Sequence, residues 1–191
     1  MPTDRCAKLH GLIAMLDEAV EMDCVKGRCD RVKQILEDAF HSTEDLIPTE
    51  CLKPDEGKYA RHLLHLDPQN RYSVIAMVWD KGQGTSLHDH AGQWCVECVY
   101  RGRIKVVSYD VVDGDPHTDD VVQFERQKEI FAGKGEAGAL IPPFEYHTIE
   151  NTEDTPTITV HVYGEELKWC HIFVPVGDGY RRELRELAYS S

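Results

Sequence analysis

The sequence predicts a mainly β protein, a barrel or double-sheet jelly roll preceded by two or three helices, and three observations lead there. Apolar residues recur with a helical period only within the first fifty or so positions. From residue 59 onward the chain breaks into short runs rich in β-branched and aromatic residues. Between those runs stand Gly, Pro, Asp and Asn, the residues that make turns. Many short strands separated in this way fit closed or two-sheet β architectures.

The elements follow in order. Residues 3 to about 22 place Leu9, Leu12, Ile13, Leu16 and Val20 on one helical stripe, with Thr3 or Asp4 available as an N-cap. Residues 28–41 repeat the stripe with Val32, Ile35, Leu36, Ala39 and Phe40, and "VKGRC" separates the two helices. A weaker helical or irregular stretch covers 43–53. The runs "YSVIAMVWD", "CVECVYRGRIKVVSYDVV", "DVVQFER", "AGALIPP", "HTIEN", "TITVHVYG" and "CHIFVPV" read as strands, and "DGDPHTDD" at 113–120 reads as a surface hairpin loop. The ending "RRELRELAYS" reads as a short helix or a frayed tail. The expected layout is a single domain over 1–191, with a helical portion at 1–53, a β-barrel at 58–178 and a C-terminal tail at 179–191.

A formal net charge of −13 argues against a nucleic-acid partner and against an anionic membrane surface. No apolar run reaches membrane-spanning length and no secretory leader pattern opens the chain, so a cytoplasmic protein is expected, a monomer or weak homo-oligomer. The seven cysteines are irregularly spaced, with one isolated C-x-x-C at Cys95 and Cys98. On a strand those two point to opposite faces, so most of the thiols read as reduced small hydrophobes.

The chemistry concentrates in "SLHDHAGQWC" at 86–95. If the segment is extended, His88 and His90 share a face and Asp89 points to the other. That pattern is either half of a metal site or a solvated strand face. Gly82, His88, His90, Cys95 and Gly102 have the spacing of the first cupin motif, and "IPPFEYHTIEN" resembles the second through Pro142, His147 and Asn151. Two departures stand out: Cys95 occupies the position of the usual Glu, and Phe144 that of a Gly. The resemblance implies a cupin jelly-roll barrel and supplies His147 as a third ligand. Three neutral imidazoles suit a zinc ion with a bound water, or an iron ion whose substrate brings the anion.

A more specific resemblance extends from about Tyr59 to His171. "YAR" at 59–61, "HDHAGQWC" at 88–95, "HTIEN" at 147–151, "VHVY" at 160–163 and "CH" at 170–171 are similar, in order and separation, to the motifs of the cysteine dioxygenases, the thiol-dioxygenase branch of the cupins. The resemblance implies Fe(II) held by His88, His90 and His147, with no carboxylate ligand. It implies Arg61 on the substrate carboxylate, with Tyr59 holding that end or supporting Tyr163. Tyr163 would act near the metal, oriented by His161. Cys95 would either form a thioether to Tyr163 or remain a buried free thiol. The implied reaction converts L-cysteine and O₂ to cysteine sulfinic acid without an external reductant, and no flavin, haem or nicotinamide fingerprint is visible. "LLHLDPQNRYSV", "VW" and "GQGT" also resemble bacterial dioxygenases of 3-mercaptopropionate, which typically carry glutamine where this chain has Arg61. A non-catalytic metal-binding cupin and a zinc hydrolase or isomerase complete the alternatives.

Overall fold

A computed structural model of the chain describes residues 2–42 and 45–190, without the side chains of residues 2–6. Two helices, α1 (Pro2–Val20) and α2 (Val25–Ser42), and a 3₁₀ turn at Thr49–Leu52 precede eleven strands. These are β1 (Ala60–Leu66), β2 (Ser73–Trp79), β3 (Leu87–His88), β4 (Cys95–Arg101), β5 (Arg103–Asp113), β6 (Val121–Gly133), β7 (Ala137–Leu140), β8 (His147–Glu150), β9 (Thr157–Tyr163), β10 (Trp169–Val176) and β11 (Gly179–Glu186). One sheet has the order β1-β2-β9-β4-β7. The other six strands close on themselves as β10-β11-β6-β5-β8-β3, with β3 returning to β10. The fold is a cupin jelly roll with two N-terminal helices. No helix among the described residues is long and apolar enough to cross a membrane.

The helices matter to the site because of what they cover. Leu12, Leu16, Val32, Leu36 and Phe40 pack with Val74, Ala76, Val78, Val96, Cys98, Ile158, Val160 and Val162, which line one face of the five-stranded sheet. Phe40 meets the Tyr100 ring edge-on at 5.2 Å. Every residue of β9 is therefore buried, although "TITVHVY" alternates apolar and polar. Its polar positions, Thr157, Thr159, His161 and Tyr163, face the interior between the two β layers, not solvent. Truncating Leu36 to Ala in that helix–sheet core should cost about 2–5 kcal/mol.

Three expectations change. Helix α1 begins at Pro2, so Thr3 and Asp4 lie in its first turn and cannot cap it from outside; their side chains fall outside the described residues. The 43–53 stretch supplies only the 3₁₀ turn, residues 43 and 44 being outside the description. Residues 181–190 form neither a short helix nor a frayed tail. Residues 179–186 form β11, paired in unbroken register with β10 from Val176↔Gly179 to Trp169↔Glu186. The helix-forming character of "RRELRE" yields here to ladder pairing set by a two-residue turn, Gly177–Asp178, with Gly177 at φ 55°. Residues beyond β11 are also tied down: Ser190 N donates to the Arg61 carbonyl at 2.7 Å, and Arg61 N donates to Ser190 Oγ at 3.0 Å.

Candidate metal centre

His88 on β3 and His147 on β8 are direct cross-strand partners, and His90 follows β3 by two residues. Their ring centroids lie 4.5–5.2 Å apart, and one nitrogen of each falls within 4.8 Å of the other two. Which nitrogen is set by what holds the opposite side of each ring. His88 Nδ1 lies 3.0 Å from the Ser86 carbonyl and His147 Nδ1 2.9 Å from the Glu145 carbonyl. His90 Nδ1 faces the Glu145 carboxylate at 3.4 Å. On His88 and His147 the carbonyl at Nδ1 fixes the N–H there and leaves Nε2 with its lone pair, the orientation of metal-binding imidazoles, whereas His90 Nδ1 has no hydrogen-bond partner and Glu145 Oε2 accepts from His90 N instead. Burial depresses the pKa of all three rings, that of His90 to about 3, so they are neutral at pH 7. His147 Nε2 is buried and without a hydrogen-bond partner. This donor set fits a divalent metal ion.

Asp89 points away from the trio, as its parity predicts, into a buried set of hydrogen bonds. Its Oδ1 accepts from His171 N (2.8 Å) and Ala91 N (3.1 Å), and its Oδ2 lies 2.8 Å from His171 Nδ1. It ties β10 to the turn that carries His90, where Ala91 takes a positive φ of 54°. Asn151 has a comparable bracing role, donating to the Trp79 and Thr155 carbonyls at 2.9 and 3.0 Å. Phe144, at the expected Gly position, is 76% exposed and has no positive φ, so the turn tolerates a side chain.

The opposite wall belongs to the five-stranded sheet. Arg61 on β1 is only 4% exposed, yet no carboxylate pairs with it among the described residues. Nη2 donates to the Leu167 carbonyl at 3.3 Å, Nη1 to that of Ala188 at 3.5 Å, and Nε has no acceptor. Tyr189 lies under the guanidinium at 5.5 Å. Tyr59 stacks on Trp79 at 4.5 Å. The Tyr163 hydroxyl is 3.4 Å from His161 Nδ1, and the two rings are nearly parallel. The indole N–H of Trp79 can only donate, so Thr159 Oγ1 accepts it at 2.8 Å and has its own proton available for His161 Nε2, also at 2.8 Å. Cys95 sits directly opposite Tyr163 in the β4–β9 register, its Sγ 4.0 Å from His161 Nδ1. Burial raises both the Cys95 thiol and the Tyr163 phenol well above their ordinary values.

Tyr59, Arg61, His88, His90, His147, His161 and Tyr163 thus line one cavity of about 30 Å³. It continues into an open mouth of about 360 Å³ bordered by Lys58, Arg61, Arg185 and Ala188. A family model described as cysteine dioxygenase type I matches residues 5–175. The chain belongs to that family. Cysteine dioxygenase type 1 of Rattus norvegicus is 25% identical over 169 residues, covering 86% of this chain and 78% of that one. The Danio rerio protein of the same name is 23% identical over 172 residues, with the same coverage. Among solved structures, a cupin 2 conserved barrel domain protein from Salinispora arenicola aligns with TM-score 0.39 and 21% identity, over 60% of this chain and 82% of that one.

In this cysteine dioxygenase family member, two carboxylates stand near the trio. Glu145 is buried against His90, and burial raises its pKa to about 7. Glu97, on the same face of β4 as Cys95, brings Oε2 within 3.7 Å of His147 Nε2 and 3.6 Å of His161 Nδ1. Burial pushes its pKa to about 7 as well. Strand parity was the available signal: Glu97 is two residues from Cys95 and therefore faces the site.

Proposed function

We propose that the protein is a thiol dioxygenase acting on L-cysteine, with iron(II) held by His88, His90 and His147. The observation that carries the reading is Arg61, a buried guanidinium with a free Nε and no carboxylate partner among the described residues, lining the same cavity as three neutral histidines. A buried cation without a counter-ion invites an anionic ligand, and a planar guanidinium fork fits a carboxylate through two parallel hydrogen bonds. Held by His88, His90 and His147, iron(II) would supply the chemistry by which a thiol and O₂ give a sulfinic acid that carries both oxygen atoms.

The chain's own groups would do the rest. Arg61 fixes the carboxylate end and so sets the distance of the sulfur from the histidines. Tyr59, Leu167 and Cys170 line the cavity and keep water from it. The relay Trp79–Thr159–His161 leaves the proton of His161 on Nδ1, facing the Tyr163 hydroxyl, which holds the phenol in place beside the reacting atoms. Cys95 is the register partner of Tyr163, which supports a thioether between the two.

The test is O₂ uptake by anaerobically purified, iron-loaded protein with L-cysteine, 3-mercaptopropionate and cysteamine. The expected order puts cysteine first, with sulfinic acid formed in one-to-one ratio to O₂. Preference for 3-mercaptopropionate, which keeps the carboxylate and lacks the amine, would transfer the assignment to that thiol. No uptake with any thiol would remove the enzyme reading in favour of a metal-binding cupin.

A further inference from the structure

We infer that Tyr189 is a positioning residue for the substrate carboxylate, its ring supporting the Arg61 guanidinium while leaving one edge of that group open. The inference rests on the reading that Arg61 binds the carboxylate of a thiol substrate. It extends the site to residues 187–190, beyond the stretch 5–175 that the family model matches.

A buried cation needs its charge compensated, yet a carboxylate counter-ion from the protein would occupy the edge that a substrate carboxylate needs. Around Arg61 the compensation comes from neutral groups. The Tyr189 ring takes the face of the guanidinium, its centroid 5.5 Å from the central carbon. The carbonyls of Leu167 and Ala188 take Nη2 at 3.3 Å and Nη1 at 3.5 Å. An aromatic face stabilises a cation without consuming an N–H. Nε is left buried with no acceptor. Each Nη has a second N–H beyond the one it gives to a carbonyl, so Nε and its neighbour can meet a carboxylate side by side.

The ring is itself held in place. Its hydroxyl donates to Glu166 Oε1 at 3.1 Å, and Lys168 Nζ lies 3.0 Å from Glu166 Oε2, so both oxygens of that carboxylate are engaged by groups other than Arg61. On one side of Tyr189, Leu187 N donates to the Lys168 carbonyl at 2.8 Å. On the other, Ser190 Oγ accepts from Arg61 N at 3.0 Å and donates to Asp55 Oδ2 at 2.5 Å. Leu187 and Tyr189 pack against the core cluster that contains Tyr163 and Leu167, and Leu187 also lines the cavity of the histidines. The segment after β11 thus carries an aromatic support for Arg61 in a fixed register.

The test compares Tyr189→Leu, which removes the ring, with Tyr189→Phe, which keeps it and removes only the hydroxyl. Tyr189→Met replaces the first variant if that one fails to fold. Full-length protein is titrated with propionate, a carboxylate without thiol or amine, and binding is read from the Arg61 Nε–H resonance in ¹H–¹⁵N spectra. Iron-loaded protein is then assayed for O₂ uptake with L-cysteine and with cysteamine. In Tyr189→Leu the propionate Kd and the cysteine KM should both rise at least about fivefold, while kcat and the cysteamine KM stay within about twofold of wild type. Tyr189→Phe should recover most of both losses. Propionate binding that is absent, or equal in wild type and Tyr189→Leu, overturns the inference. Equal rises in KM for cysteine and cysteamine also overturn it, because they report general loosening. Ring-dependent propionate binding in a protein that oxidises no thiol leaves the role of Tyr189 standing without the proposed function. Ring-independent binding in a protein that oxidises cysteine leaves that function standing without Tyr189.

Discussion

Replacing Arg61 by Gln tests the substrate assignment with the least disturbance to the fold. In the structure the guanidinium gives two long hydrogen bonds, 3.3 and 3.5 Å, to carbonyls of Leu167 and Ala188. Bonds at the limit of hydrogen-bond reach are worth about 1 kcal/mol each even from a cation, and a glutamine amide can recover one of them. The backbone hydrogen bonds between residue 61 and Ser190 do not involve the side chain and survive the change. What glutamine cannot supply is a charged fork. A bidentate carboxylate pair in this buried wall is worth about 2–3 kcal/mol, which corresponds to a fall in kcat/KM of about 30- to 150-fold. The assay is O₂ uptake at matched iron content with L-cysteine and with cysteamine, which has the amine and no carboxylate. Cysteine should lose the full factor and cysteamine much less. Equal losses for the two thiols would refute the carboxylate role of Arg61.

Three other outcomes follow from the same geometry. His147→Ala should abolish stoichiometric iron binding while circular dichroism still reports a folded barrel; iron retained at wild-type level would exclude this histidine as a ligand. After turnover with iron, cysteine and O₂, intact-mass analysis should show a loss of two hydrogens that Cys95→Ala prevents, and a wild-type mass equal to the sequence mass would leave Cys95 as packing alone. Arg71 holds Asp67 far below the usual carboxylate range through hydrogen bonds at 2.7 and 2.9 Å, and also ties the β1–β2 turn to Asp17 and Glu21 of α1. Because the folded pKa lies below the unfolded value, this contribution is present at neutral pH and is lost as pH falls below about 4. Asp67→Asn should therefore destabilise by about 2–3 kcal/mol at pH 7 in urea titrations, with a gap to wild type that narrows toward pH 3. A gap independent of pH would contradict the pairing.

How much was legible in sequence differs between the two sides of the site. Strand parity put His88 and His90 on one face and sent Asp89 to the other, because β geometry makes parity a reliable guide to which face a side chain takes, whereas His147 came only from the resemblance to the second cupin motif. The same parity placed His161 beside Tyr163. Glu97, two residues from Cys95, faces the site by the same parity. The polar face of β9 could equally have been solvated; only the helices packed on the other face of the sheet turn it inward, and that packing is tertiary. Residues 179–186 were misassigned for a related reason. Arg, Glu and Leu favour helix locally, and the Gly177–Asp178 turn that commits them to a hairpin is two residues long.

The two β layers contribute different kinds of side chain. His88, His90 and His147 come from β3, its following turn and β8, whereas Arg61, Cys95, Glu97, His161 and Tyr163 come from β1, β4 and β9. Drift in sequence on one layer need not disturb the other. A descendant could keep its histidines and exchange the residue at 61, acquiring a new preferred thiol while its hold on the ion stays as it was. Diversification within such a lineage should then leave its record mainly on the inner positions of β1 and β4, with β3 and β8 changing least.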